Sequence, residues 1–444
     1  MIRRPPRSTQ GVSSAASDVY KRQGLYPDQT KSKELRLFLR QTLPDVVTIG
    51  QRFIQEKYNS VRVGKIYHYH NPRDIGTSGH DDHFTWDQTV NPYGRDKIEE
   101  YKLNKVKENF DGATLSWLES DGLDEEQTDG IGAKVTMEFL EKFANNQENF
   151  FLAYGLYRPH IPFVAPKKYF DMYEAEQMKV PENGDFFLET ISKPAAKTLR
   201  ARKEQINLDD QTIKTVKEAY YATTSFVDAQ VGKVLNKLKE TGLDKNTIVV
   251  FTSDHGYHLG EKGHWQKQTL YDRATKVPLI ISGPGIKSDK KIINSPVELV
   301  DLYKTIMDLT GISIPAFVQG YSLKNALTSD TTPKRKSALS ELRAYADKEL
   351  GQGYSIKTER YRLIRWDYKD KFHFELYDHE FDSSENNNLV NEKSYLKIKD
   401  SLNLVLNKRI IEAKKKPTGL GRQIDNVRPN FEPQRISSSK KSRL

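Results

Sequence analysis

Four short motifs carry residue types that could do chemistry. They are Gly-Lys-Ile-Tyr-His at 64–68, Tyr-Arg-Pro-His-Ile-Pro-Phe at 157–163, Ser-Asp-His-Gly at 253–256 and Trp-Gln-Lys at 265–267. Together they supply Lys65, His68, His160, Asp254, His255 and Lys267. Lysine stays cationic near neutral pH (unperturbed pKa about 10.4), whereas histidine gives or takes a proton there (about 6.5). That mixture suits a substrate bearing a tetrahedral oxyanion. The lysines hold its oxygens and a histidine protonates the departing alcohol. Cleavage of a sulfate or phosphate ester is the natural reaction class. A backbone proton abstraction or a hydride transfer would not need so many cations. Asp254 and His255 are a candidate metal pair, with a carboxylate oxygen for a hard cation and an imidazole as second ligand.

Each residue alone also has a plainer reading. Lys65 fits a solvated lysine and His68 a locally bonded loop histidine. His160 lies between two prolines that fix φ in a rigid turn. Asp254 fits a turn cap. The run Gly79-His80-Asp81-Asp82-His83 looks like metal ligands, but it lies in a long polar stretch and reads as a surface loop. His258 and His264 flank the Ser-Asp-His-Gly loop without an assignable role, and Trp86, Trp265 and Trp366 read as packing groups.

The elements that must position these residues alternate in type. Residues 47–50, 61–67, 150–156, 246–254 and 277–282 read as strands, the last three buried by their continuous apolar character. Helices are expected over 51–58, after Thr128-Asp129 with Ile131, Val135, Phe139, Leu140 and Phe143 on one face, over 216–241, and over 297–309. In the long helix Tyr220, Thr224, Val227, Val231, Val234, Leu235 and Leu238 are expected inward, and Gly242 stops it. Such alternation implies a mixed or parallel sheet covered on both faces, and ligands in such sheets bind beyond the strands' carboxyl ends. Tyr157–His160 and Ser253–His255 sit at two such ends. After about Ala344 the pattern turns to aromatic-rich strands at 354–358, 361–366 and 374–377, which read as antiparallel. A polar turn at 382–388 and a closing helix over 394–413, with Ser394 as its N-cap, follow.

With 444 residues, 36% of them hydrophobic, the chain can bury a sizeable core, so wholesale disorder is excluded. No apolar run approaches the roughly 18 residues of a membrane-spanning helix. There is no cysteine, which excludes disulfides, thiolate metal sites and cysteine nucleophiles. The net charge of +10 invites a nucleic-acid reading, but residues 1–23 carry +4, residues 401–444 carry +8, and residues 24–400 carry −2. A groove for a phosphate backbone would be basic within the fold, so nucleic acid is not an expected partner.

The ordered set of motifs resembles the type I sulfatases, and within them the iduronate-2-sulfatase group with its bacterial relatives. It comprises GKIYH, TDGIGAKVTMEFLEKF, FFLAYGLYRPHIPFVAPKKYFDMY, YYATTSFVDAQVGKVL and VVFTSDHGYHLGEKGHWQKQTLYDRATKVPL, with GYSIKTERYRLIRW and ELYDHEFDSSENNNL further on. The resemblance implies an α/β, alkaline-phosphatase-like mixed sheet sandwiched by helices, plus a smaller C-terminal α+β subdomain with antiparallel strands. It implies a bound calcium ion with Asp254 and His255 among its ligands. It places Lys65 and His68 beside the nucleophile, and His160 and Lys267 on the sulfate ester of a sulfated carbohydrate. Relatives are secreted, periplasmic or lysosomal; the sequence gives no oligomeric state.

In that family the nucleophile is a formylglycine made from the Cys of a Cys-x-Pro-x-Arg motif. The chain has no cysteine and no Ser-x-Pro-x-Arg substitute, and Pro6-Arg7-Ser8 has the wrong order. The family's first strand, with its paired calcium-binding Asp residues, is not found either. Residues 1–23 show no period and no signal-peptide core, and they resemble translated sequencing-adapter DNA. The expected organisation is a non-native basic segment at 1–23, a catalytic domain at 24–340 without its first strand and nucleophile helix, a C-terminal subdomain at 341–413 and a basic tail at 414–444. The leading expectation is therefore a sulfatase fragment without turnover and with impaired calcium binding. Two alternatives are a pseudo-enzyme that binds sulfated glycan and a phosphate or phosphonate ester hydrolase of the same superfamily. A basic interaction protein is the weakest. Sequencing the source DNA across the Gln23–Gly24 junction tests this: an upstream strand with paired Asp and Cys-x-Pro-x-Arg is expected, and confirmation of 1–23 as native would favour the pseudo-enzyme.

Overall fold

The protein is described from a computed structural model, over residues 24–32, 37–108, 114–181, 185–287, 292–329 and 331–427. The expectations for 1–23 and for 428–444 lie outside these residues.

The strand Asn59–Gly64 is the centre of a three-stranded parallel sheet, flanked by Gln88–Val90 and Phe150–Gly155. Its apolar residues Val61 and Val63 are buried, as the alternation predicts. Arg62, between them, is also fully buried. Its guanidinium donates to Asp81 Oδ2 (2.7 Å), to the Gly64 carbonyl (2.5 Å) and to Asn91 Oδ1 (2.8 Å). A buried arginine is tolerated where its donors are satisfied in this way. The helix Thr128–Asn146 follows its expected span and packs against the 31-residue helix Asp210–Glu240. Val227 and Leu238 of the expected face of that longer helix are buried, but Thr224 and Leu235 are exposed, and Val216, Ala219, Ala222, Thr223, Phe226 and Gln230 also face inward. Small residues let the helix approach its neighbours closely, and that outweighs the side-chain count that favoured the valine-rich face.

Three further expectations give way. Val47-Thr48-Ile49-Gly50 is not a strand. Thr48 caps the helix Ile49–Gln55, its Oγ1 accepting the Gln51 amide (3.2 Å), and this capping box overrides a four-residue β-like run. The strands Val249–Thr252 and Leu279–Ser282 do not join the parallel sheet. They pair antiparallel as a separate two-stranded sheet in which Phe251 and Ile280 are 37% and 60% exposed. Among the described residues, no strand pairs with the outer edge of Phe150–Gly155 or of Val249–Thr252, so both are edge strands. Ser394 does not cap the closing helix; it lies in a 3-10 turn ahead of Leu396–Lys414.

The C-terminal subdomain is a four-stranded antiparallel meander, Ala338–Ala346, Glu349–Lys357, Tyr361–Tyr368 and Lys371–Asp378, backed by the closing helix through Leu402, Leu406 and Ile410. Its first strand begins three residues ahead of the expected boundary. The stretch expected as a solvated tail is docked as far as it is described. Leu420 is buried, Arg422 grips Asp45 through two nitrogens (2.9 and 2.6 Å), and the Ile424 amide donates to the Thr42 carbonyl (2.9 Å). Hydrogen bonding to the 42–45 turn explains why a basic stretch lies down on the fold.

A buried ion cluster ties this subdomain to the rest. Arg335 donates to Asp301 (Oδ2, 3.0 Å; Oδ1, 2.5 Å) and pairs with Glu298 (2.7 Å), which also receives Arg409 from the closing helix (2.8 Å). Replacing Arg335 by Ala would leave Asp301 buried without its counter-ion. The expected cost is about 3–5 kcal/mol of unfolding free energy, read by urea denaturation. A loss below about 1 kcal/mol, the range of an exposed pair, would show that the cluster does not hold the two parts together.

Candidate active site

The ends of two paired strands fix the first cation. Gly64 and Gly155 are in register, and a Cβ on Gly64 would stand 2.0 Å from the Gly155 carbonyl oxygen, while one on Gly155 would stand 1.8 Å from that of Lys65. Only glycine permits this approach, and Gly64 has φ +75° as well. The Lys65 amide donates to the Gly155 carbonyl (2.8 Å), so Lys65 leaves the sheet beside the segment that leads to His160.

That segment is held from below. The Asp129 carboxylate, in the first turn of the Thr128–Asn146 helix, accepts the amides of Tyr157 (2.8 Å) and Arg158 (2.9 Å). The Arg158 side chain is buried and pairs with Asp96 (2.6 Å), whose other oxygen accepts both the amide and the hydroxyl of Thr128 (2.8 and 2.6 Å). Burial pushes the Asp129 carboxyl up to about 6, against the lowering effect of Arg158 and of the two amides. Both prolines around His160, Pro159 and Pro162, follow cis peptide bonds.

His160 is half-buried at the turn. Its Nδ1 lies 2.7 Å from the Ile161 carbonyl oxygen, which only accepts, so Nδ1 carries the proton. In the neutral ring Nε2 is then the acceptor, and it faces Lys267 Nζ at 3.2 Å. Burial, then the charges of Lys267 and Lys65, hold the imidazole well below its ordinary value, with His255 adding in the same sense. The structure therefore brings Lys65, His160, Lys267 and His255 together. In the free site His160 is neutral, so it can protonate a departing alcohol only after an anion has offset the lysines.

Asp254 and His255 follow the strand Val249–Thr252. Asp254 Oδ1 accepts the His255 amide (3.1 Å), its Oδ2 lies 3.4 Å from His255 Nε2, and His255 Nδ1 donates to the Gly256 carbonyl (2.8 Å). Gly256 is required here: a Cβ would stand 2.1 Å from the Arg273 carbonyl oxygen. Calcium takes six to eight oxygen ligands. Among the described residues, no third His, Asp or Glu gathers with this pair into a potential ion-binding group. Asp254 and His255 are thus two candidate ligands among the described residues, and by themselves they do not fit a calcium ion. An open cleft of about 1040 Å³ begins at Asp254, His255 and Lys267 and runs along Leu279–Ile281 to Ala338–Leu342.

The His68 ring packs against His70 (centroids 4.8 Å apart) and His80 (5.6 Å). The run 79–83 is not a surface loop: His80, Asp81 and Asp82 are buried and only His83 is exposed. Asp81 is drawn in by Arg62 and Trp86 Nε1 (2.9 Å), and Asp82 by Arg40 (2.9 Å), so ion pairing overrides the polarity of the run. His258 and His264 do not line the cleft. Both are buried in an edge-to-face pair, with His258 Nε2 2.8 Å from Thr269 Oγ1 and His264 Nδ1 donating to the Leu199 carbonyl (3.1 Å). Trp86, Trp265 and Trp366 are buried packing groups, as expected.

The mixed α/β fold, with His160 and Lys267 meeting beyond its strand ends, is of the alkaline-phosphatase-like class. The chain belongs to the sulfatase family. The family model "Sulfatase" matches residues 20–312, and "N-sulphoglucosamine sulphohydrolase, C-terminal" matches 260–413. A sulfatase of Formosa agariphila is 29% identical over 408 residues, covering 88% of this chain and 73% of that protein. Iduronate 2-sulfatase of Homo sapiens is 29% identical over 335 residues, covering 66% of this chain and 59% of that protein. In fold, a phosphonate monoester hydrolase from Silicibacter pomeroyi superposes with a TM-score of 0.73 at 22% identity, over 90% of this chain and 86% of that one.

Because an anion raises the pKa of His160 by offsetting Lys65 and Lys267, binding should take up a proton. The protonated ring also binds the anion better, so affinity for inorganic sulfate rises as pH falls. Calorimetry in buffers of different ionisation enthalpy should show net proton uptake, lost in His160→Gln. Equal uptake in that variant would place the proton on another group.

Proposed function

We propose that the pocket formed by Lys65, His160 and Lys267 receives the sulfate group of a sulfated sugar, with the sugar extending into the adjoining cleft. The observation that carries this reading is the neutral His160 Nε2 held 3.2 Å from Lys267 Nζ, with Lys65 acting on the same ring. Two cations around one acceptor repel each other until an anion arrives, which favours a tetrahedral oxyanion over a neutral ligand. Membership of the sulfatase family favours sulfur over phosphorus, and the likeness to iduronate 2-sulfatase favours a sugar as the alcohol. In this reading Lys65 and Lys267 hold non-bridging oxygens. His160, once protonated, donates from Nε2 to the bridging oxygen of the departing alcohol.

The chain contains no cysteine from which a formylglycine could form, so we expect binding without turnover. Asp254 and His255 are the two residues offered to calcium, and no step is assigned to the ion. None of the described helices is long and apolar enough to cross a membrane. The likeness to iduronate 2-sulfatase is consistent with a secreted, periplasmic or lysosomal setting.

A sulfated disaccharide titrated into the full chain should bind with salt-sensitive affinity. Lys267→Ala should weaken binding by about tenfold or more, as expected when a hydrogen bond to a charged group is lost. Sulfate release should stay at the level of that variant. Binding unaffected by Lys267→Ala would sink the pocket assignment, and release that depends on Lys267 would sink the expected inactivity. Calcium at 1 mM should raise the melting temperature little, because two ligands give a dissociation constant of about 1 mM or weaker. A rise of several degrees would mean that further ligands complete the site.

A further inference from the structure

The chain just beyond Lys267 is held by the C-terminal subdomain. Leu270, Tyr271 and Asp272 are consecutive, and each has a partner on the antiparallel meander or on the turn that follows it. The Arg362 guanidinium, buried in the strand Tyr361–Tyr368, donates from Nη1 to the Leu270 carbonyl (3.1 Å) and from Nη2 to Asp272 Oδ1 (2.6 Å). The Asp272 amide donates to Glu385 Oε2 (2.8 Å). The Tyr271 hydroxyl donates to Glu375 Oε2 (2.8 Å), which also accepts the Tyr377 hydroxyl (2.8 Å). Leu270 is seated on Gly353, where a Cβ would stand 2.8 Å from Leu270 Cδ1.

Arg362 has little room to move. Its Nε donates to Glu385 Oε1 (2.5 Å), and Nη1 donates also to Ser355 Oγ (2.8 Å). Asp272, His379 and Glu385 offer ligand atoms within 4.8 Å of one another, and the guanidinium is the cation that joins the two carboxylates. His379 Nε2 lies 2.8 Å from Glu385 Oε1. Burial raises the Glu385 carboxyl, but the charge of Arg362, the His379 bond and the Asp272 amide hold it down to about 2. It therefore stays ionised at neutral pH. Lys262 closes the far side, its Nζ 3.9 Å from the Phe187 ring centroid and 5.3 Å from that of Tyr271. A buried pair of this kind resists displacement, because losing either partner leaves an uncompensated charge.

The link back to Lys267 is short and stiff. The Thr269 amide donates to the Lys267 carbonyl (2.9 Å), closing a tight turn, and Thr269 Oγ1 lies 2.8 Å from the buried His258 Nε2. A displacement of Leu270 is thus passed to Lys267 and not absorbed by a slack loop. Lys267 Nζ stands 3.2 Å from His160 Nε2, in a pocket that Lys65 also charges, so its backbone needs an anchor against repulsion. We propose that Arg362 and Glu385 are positioning residues of the anion pocket. By clamping Leu270–Asp272 they set where Lys267 stands against His160. The assignment deepens the proposed function, resting on its reading of Lys267 as the holder of a sulfate oxygen. It also makes the pocket incomplete without the C-terminal subdomain.

The test is calorimetric titration of inorganic sulfate into the full chain, Arg362→Gln, Lys267→Ala and the variant carrying both changes. Arg362→Gln should weaken sulfate by about tenfold, as when a hydrogen bond to a charged group is lost. It should cost little more in the Lys267→Ala background, because both changes act through one group. NMR titration of the His160 ring supplies a readout that a merely structural role would not move. The Lys267 charge adds to burial in holding that ring's pKa down, so withdrawing Lys267 should raise the titration midpoint by about one pH unit. Arg335→Ala loosens the same subdomain through Asp301 and Glu298, and should leave the His160 midpoint in place. If Arg362→Gln does not fold, Asp272→Asn, at a half-buried position, decides by the same measurements. Additive losses in the double variant, an unmoved His160 midpoint, or an equal shift in Arg335→Ala would overturn the proposal. If the wild type binds no sulfate, the proposed function falls, and the His160 midpoint alone decides on the clamp.

Discussion

The site depends on one buried carboxylate. Asp129 holds the amides of Tyr157 and Arg158, and the Arg158 side chain returns to Asp96 at the start of the same helix. None of these groups reaches water, so each is costly unless the others stay in place. A constraint of that kind fixes the beginning of the His160 turn far better than apolar packing, which tolerates sliding. The glycine pair Gly64 and Gly155 plays the complementary part on the other strand, setting where Lys65 departs. Cations gathered on loops need such anchors, because their mutual repulsion works against the geometry that an anion requires.

The site nevertheless spans two separate ladders. Lys65 and His160 follow the parallel sheet, whereas Asp254 and His255 follow the two-stranded antiparallel one. Among the described residues no hydrogen-bonded strand joins them. The placement of one half against the other rests on side-chain contacts such as that between Lys267 and His160, and on packing between helices. The Arg335 cluster does similar work for the C-terminal subdomain, beside a shared core in which Leu270 and Tyr271 pack with Leu342, Ile364 and Trp366.

Much of this was legible in the sequence for a simple reason. A continuous apolar run such as Phe150–Gly155 and a periodic helix such as Thr128–Asn146 announce themselves locally, and the rule that ligands lie beyond strand ends then picks out His160 and Asp254. What was not legible depends on pairing across distance. Asp96 and Arg158 are separated by 62 residues, and Arg62 and Asp81 by 19, with no period linking them. Hence the Gly79–His83 run read as a polar loop, although its partners bury it. His68 was placed beside the nucleophile by the resemblance of the Gly64–His68 motif, and its ring packs against His70 and His80. The short run at 47–50 misled in the opposite way, since its cap lay one residue inside it.

The docked segment beyond the closing helix bears on how the molecule is handled. The family match to the C-terminal part ends at residue 413, a natural place to trim the chain for expression. Trimming there would uncover the pocket that Leu420 fills and would strip Asp45 of Arg422. It would also release the turn at 42–45, which leads directly into the cap at Thr48. The damage would thus surface at the opposite end of the polypeptide from the cut, as fraying of the helix that precedes the strand carrying Lys65. A shortened protein that failed to bind anions would then misreport a scaffold defect as a property of the pocket.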